Sequence, residues 1–132
     1  MTTVQRVAQI FGVVFILVGL VGFFYTGMGN MTADPTMAPK ILGMFPVNVL
    51  HNIVHLLFGV WGLLAARTFS GARTYAQVGG VIYLLLAVVG FVAPDGFNLV
   101  PLGGNDIWLH ALLGIALAYF GFTARDVAAR TA

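Results

Sequence analysis

Residues 45–62 read FPVNVLHNIVHLLFGVWG. Asn48, His51, Asn52 and His55 recur there at intervals of three and four, the spacing that puts side chains on one helix face, inside a run otherwise as apolar as a membrane span. At about 100° per residue, Gly59, Gly62 and Ala66 continue the same narrow stripe, so polar atoms at one end give way to small ones at the other. Hydrocarbon offers a polar side chain no partner. The stretch therefore predicts a membrane helix and, on one face of it, a site.

Composition extends this reading to the whole chain. Its 132 residues are 60% hydrophobic and 8% charged, with mean hydropathy +0.98, whereas soluble domains carry about a quarter charged residues. Four apolar runs, 4–26, 46–66, 75–93 and 106–123, are expected to be long enough to cross a bilayer, which takes roughly 20 residues of helix. The first has one Arg ahead of it, exceeds a typical signal-peptide core and lacks a small-x-small cleavage site, so it is expected to be retained as a span. The absence of Cys excludes disulfides, iron–sulfur clusters and thiol catalysis, and the absence of Glu excludes the carboxylate-rich di-iron bundle. No catalytic triad, phosphate loop or nucleic-acid signature is present, and the expectation is a non-enzymatic chain whose main partner is the lipid bilayer.

Charge sets an expected topology. Arg6, Arg67, Arg73, Arg125 and Arg130 fall on one side of the spans and Lys40 on the other, which by the positive-inside rule puts both termini in the cytoplasm. Loops 27–45 and 94–105 then face outward with Asp34, Asp95 and Asp106, and residues 27–43 form a cap over the bundle mouth.

The spans repeat. Residues 8–15, AQIFGVVF, align with 76–83, AQVGGVIY, and the second and fourth spans align Pro46 with Pro101, His51 with Asp106, His55 with His110 and Gly59 with Gly114. The predicted fold is all-α, a single polytopic membrane domain over 1–132. It is an antiparallel four-helix bundle of two tandem helical hairpins, repeat one 4–67 and repeat two 74–124. Two-span repeats share one topology and are related by an axis along the membrane normal. On that model His55 opposes His110 and His51 opposes Asp106. Gly12, Gly19 and Gly22, with Gly80, Ala87 and Gly90, allow close helix approach. Pro46 and Pro101 are expected in first helical turns, and Asn105 as the cap of the fourth span.

Four readings suit the polar residues. Two imidazoles four apart on a helix, with a third from the opposing helix, make a metal site of His51, His55 and His110, with Asp106 as fourth ligand or support; a divalent metal is the implied ion. Alternatively His55 and His110, at matched depth on two helices, ligate haem b. In the third reading, which is the function expected from the sequence, Asn48, Asn52, the histidines and Asp106 hydrogen-bond one another and fix the helices or a contact with a partner subunit or second copy. Asp106 with the histidines would also serve a small proton-linked carrier. Met28, Met31, Met37 and Met44 read as pliable loop contacts. Trp108 is expected in the interfacial belt and Trp61 against a neighbouring helix.

The blocks LGMFPVNVLHNIVHLLFGVWGL and PLGGNDIWLHALLGIAL resemble the DUF4383 family of small bacterial four-helix membrane proteins. Its characteristic residues stand here as Phe45, Val47, Asn48, His51, Asn52, His55 and Gly59, then Asp106, Trp108, Leu109, His110 and Gly114. Ile107 departs from a frequent Asn. The resemblance implies the architecture, the shared polar cluster and a bacterial inner-membrane location, and no activity.

Overall fold

The computed structural model describes residues 1–126; Arg130, used above in the charge count, lies outside them. Four helices, α1 (Thr3–Thr26), α2 (Val49–Ala65), α3 (Phe69–Val92) and α4 (Asn105–Thr123), form an all-helical bundle, and a two-stranded hairpin, β1 (Lys40–Ile41) and β2 (Phe45–Pro46), lies in the first long loop. By length and composition α1, α3 and α4 suffice to cross a membrane. Helix α2, with 17 residues, rises about 26 Å, just under a hydrocarbon core of roughly 30 Å. Outward-facing Leu17, Leu57, Leu85, Leu112 and Phe122 are all exposed, a surface suited to acyl chains and unfavourable in water.

Local chemistry sets the ends. Thr2 and Gln5 form a reciprocal capping box on α1, and Gly27, at φ 58°, ends that helix in a conformation glycine tolerates. Helix α3 begins at Phe69, earlier than the apolar signal at 75, because the Thr68 hydroxyl accepts the Gly71 N–H at 3.0 Å. Polar residues in that first turn hide it from a hydropathy reading. The two prolines do not occupy first turns: Pro46 lies in β2 and Pro101 ahead of α4. Asn48, not Pro46, starts α2, its side chain accepting the His51 N–H at 2.8 Å. Asn105 is not a cap either. Gly104 takes that position with no side-chain hydrogen bond, while the Asn105 amide donates to the Met44 carbonyl at 3.1 Å and accepts the Trp108 indole N–H at 3.0 Å.

The hairpin was not foreseen, since its strands are two residues each. It turns through Leu42 (φ 55°) and Gly43 (φ 71°), and the Leu42 N–H donates to the Tyr25 hydroxyl at 3.3 Å, tying the turn to α1. Earlier in the same loop the Asp34 carboxylate accepts the Thr36 N–H and hydroxyl at 2.8 and 2.7 Å. The Thr36 hydroxyl and N–H hold its pKa below the ordinary value. A depressed carboxylate pKa means that this turn is favoured above the unfolded pKa and loses that contribution as pH falls through the folded one.

Helix α1 packs along α2, and α3 along α4, at glycines. A Cβ on Gly12 would stand 2.9 Å from the Gly59 carbonyl, and one on Gly59 2.7 Å from the Gly12 carbonyl. In the second hairpin a Cβ on Gly80 would meet the Ala118 N at 2.5 Å, and one on Gly114 the Leu84 N at 2.8 Å. Such backbone proximity is how helices associate where lipid gives no hydrophobic drive. We expect Gly59→Val to destabilise the bundle by about 1–3 kcal/mol, the usual range for overpacking, as measured by denaturant titration in micelles; an unchanged midpoint would mean that the α1–α2 seam yields.

Between hairpins, α1 approaches α3 more closely than α4, whereas α2 and α4 have no Cα pair within 8 Å. Phe15 of α1 and Tyr83 of α3 stack at 5.3 Å and 6° in the centre. Phe58 sets its edge against both, and Trp61 packs on Tyr75 of α3 at 4.8 Å. Between α2 and α4, beside this aromatic layer, side chains and not backbone bridge the gap.

Candidate functional site: a buried histidine cluster

Those side chains are His51, His55 and His110. One ligand nitrogen from each lies within 4.8 Å of the others, and all three residues are buried. Helix geometry explains the set. His51 and His55 are one turn apart on α2, their rings 4.5 Å between centroids, while His110 reaches across from α4 to within 6.0 Å of the His51 ring. His110 thus meets His51 as well as sharing the cluster with His55.

Each outer imidazole rests on an aromatic ring. His55 stacks on Phe15 at 5.8 Å and 7°, and His110 lies against Tyr83 at 5.3 Å. Neither Phe15 nor Tyr83 stood out as a site residue in the sequence. The one available signal was that these two positions align in the repeat while both carry aromatic rings.

The polar neighbours divide into two groups. Asn48, fully buried, caps α2 and donates its amide to the Leu99 carbonyl at 2.9 Å and the Met31 carbonyl at 3.4 Å, joining α2 to the loops that follow α3 and α1. Asn52 donates to the Thr26 hydroxyl at 2.9 Å and fills the surface of Gly22, where any Cβ would collide with the amide. Both are structural ties between segments.

The second group is tied less completely. The Nδ1 atoms of His51, His55 and His110 and Oδ2 of Asp106 are buried with no hydrogen-bond partner. The expectation that these side chains hydrogen-bond one another is not met: Asn48 and Asn52 donate outside the set, to Met31, Leu99 and Thr26, and Asn52 Oδ1 is unpartnered like these four atoms. An unpartnered buried polar group costs about 1–3 kcal/mol. Asp106, in the first turn of α4 and 2% exposed, lies outside the three-nitrogen group but lines the same cavity of about 410 Å³ as the histidines. A smaller cavity of about 150 Å³, between α2 and α3, reaches the histidines from the other side.

Among the described residues, the loop methionines do not add thioethers to the cluster: Met28, Met31, Met37 and Met44 are all exposed. Trp108, 48% exposed, sets its edge against Phe45 at the hairpin.

Four apolar helices, a lipid-type exterior and a buried imidazole cluster define a small helical membrane protein with a polar core at one end. The chain belongs to DUF4383, a domain of unknown function, whose family model matches residues 5–123. No curated protein and no solved structure matches it significantly.

Proposed function

We propose that this chain is a metal-binding integral membrane protein, with His51, His55 and His110 holding one divalent first-row transition ion and Asp106 supporting it. The observation that carries the proposal is the convergence of three buried imidazoles, from two helices, with unpartnered Nδ1 atoms. Imidazole nitrogen with carboxylate oxygen suits Zn, Cu, Fe and Co, and three protein ligands leave a fourth position open. A tetrahedral zinc with Zn–N bonds of about 2.0–2.1 Å needs nitrogens about 3.3 Å apart. Loading would therefore draw together imidazole nitrogens that now lie within 4.8 Å of one another.

A b-type haem between His55 and His110 has less support, since the stacked Phe15 and Tyr83 rings fill the centre against which a porphyrin plate would lie. A purely structural cluster, or one that meets a partner subunit or second copy, is favoured by the Asn48 and Asn52 bonds but leaves the four unpartnered atoms without a role. Protein purified from membranes and dialysed against a weak chelator should retain about one ion per chain by elemental analysis; sub-stoichiometric metal after Zn, Cu, Fe and Co reconstitution would refute the proposal.

In this reading the protein sits in a bacterial cell membrane with both termini cytoplasmic and the cluster toward the outer face. Arg6, Arg67, Arg73 and Arg125 lie at the end opposite Lys40, which supports that orientation. A Cys at Thr36 should be labelled by an impermeant reagent from outside only. The two hairpins are read as repeats about an axis along the membrane normal, a reading supported by the matched Phe15–His55 and Tyr83–His110 contacts.

A further inference from the structure

We infer that the β1–β2 hairpin is a latch beside the histidine cluster, whose tip swings off α1 and α4 to admit a hydrated cation from the aqueous phase at the loop end. The inference rests on the metal reading for what passes and on the hairpin's own contacts for how it passes.

The cluster lies close to water. His51 is the third residue of α2 and Asp106 the second of α4, so less than one helical turn separates its near end from the loops. An ion arriving across the flank of the bundle would first have to leave water for acyl chains, at far greater cost. The loop end is therefore the route, and two loop segments border the cluster there.

Those two segments are fastened differently. Beside α3 stand Val100 and Leu102. Leu102 is buried, its N–H and that of Gly103 donate to the Pro94 carbonyl at 2.8 and 3.0 Å, and the nearby Leu99 carbonyl is held by the buried Asn48 amide. That side is fixed. Beside α1, Ile41, Leu42 and Phe45 of the hairpin line the same cavity as the histidines. Strand β1 packs on α1 and β2 on α4, so the hairpin spans two helices that meet little themselves. Its ladder is two residue pairs long.

The tip is held by exposed contacts. The Leu42 N–H reaches the Tyr25 hydroxyl at 3.3 Å, and the Asn105 amide reaches the Met44 carbonyl at 3.1 Å, both at the surface. Phe45 meets the half-exposed Trp108 edge-on. The root is firm by comparison: the Val47 N–H donates to the Pro39 carbonyl at 2.9 Å, and Ala38 and Val47 are buried. Segments with exposed hydrogen bonds and few buried contacts are the ones that open locally. Leu42, at φ 55°, also occupies a left-handed conformation that leucine rarely adopts, so the closed turn is strained and release of the tip relieves it.

The chain contains no Cys, so His55→Cys puts a single thiol in the cluster. A cationic methanethiosulfonate, confined to water, then reports access to it without any metal. Tyr25→Phe and Asn105→Ala unfasten the tip from α1 and α4, and together they should raise the labelling rate at least tenfold. Gln77→Ala, which removes an interhelical bond to the Gly121 carbonyl at the far end, should leave it unchanged. In the chain with all three histidines, the same pair of substitutions should speed Co(II) uptake and release alike, at least tenfold, with Kd unchanged. A short bismaleimide joining Tyr25→Cys to Leu42→Cys should slow uptake at least tenfold relative to the same chain before cross-linking, which keeps the test open where an unfastened variant does not fold. Labelling unchanged by the latch substitutions, equal acceleration by Gln77→Ala, or uptake unaffected by the cross-link would overturn the inference. Accelerated labelling without Co(II) binding would refute the metal reading and leave the latch. Co(II) binding with labelling and uptake rates untouched would do the reverse.

Discussion

His110→Ala should abolish stoichiometric metal while leaving the bundle folded. It removes the one cluster imidazole contributed by α4, and two histidines on α2 cannot close a site by themselves. Altering the residues that merely orient a ligand costs about 10–100-fold in metal affinity, so removing a ligand should cost more than 100-fold. Stability gives a second readout. An ion at 100 times its Kd adds about 2.7 kcal/mol to a protein that binds it only when folded. The wild type should therefore melt higher with Zn(II) than without, and His110→Ala should show no shift. The imidazole makes no hydrogen bond through its buried Nδ1, so its loss orphans no partner there. If the cluster only held the helices together, the variant would melt lower with and without Zn(II) alike, and the wild type would show no metal-dependent shift.

Asn48→Ala should produce the largest loss of stability among single polar substitutions. Asn48 is fully buried and serves three segments at once: it caps α2 through the His51 N–H, and its amide donates to Leu99 and Met31 carbonyls in the loops after α3 and α1. Loss of a cap costs about 1 kcal/mol, and loss of each of the two part-buried loop hydrogen bonds about 0.5–1.5 kcal/mol. We expect a total of about 2–4 kcal/mol in denaturant titrations. Asn48→Ser separates the two effects, since a serine hydroxyl caps the helix but does not reach both carbonyls, and it should recover only the cap. Full recovery by Ser would show that the loop bonds contribute nothing. Because Asn48 sets the start of the helix that carries His51 and His55, either variant should also lower metal affinity, whereas an exposed control such as Leu57→Ala should not.

The pattern in residues 45–62 made the histidine stripe legible because polar side chains in an apolar run are conspicuous, and the second copy at Asp106 and His110 made the partner helix legible. What could not be read is the division of labour within the stripe. Asn48, His51, Asn52 and His55 share a spacing, but only three-dimensional neighbours decide that Asn48 and Asn52 find loop and helix partners while the Nδ1 atoms of the histidines do not. The Thr26 hydroxyl and the Leu99 carbonyl, which accept those bonds, carry no sequence signal. Boundaries failed where local chemistry outweighed hydropathy, at Thr68 and Asn48, both of which start helices from polar residues. The β1–β2 hairpin escaped because two-residue strands have no periodicity, yet its Ile41, Leu42 and Phe45 line the same cavity as the histidines.

The central claim is that three imidazoles share one ion. X-ray absorption at the metal edge of the zinc-reconstituted protein tests it most directly. The account predicts a first shell of nitrogen and oxygen at about 2.0–2.1 Å with the outer-shell scattering of three imidazole rings, falling to two in His110→Ala if any metal remains. A first shell of oxygen alone, without imidazole scattering, would contradict it.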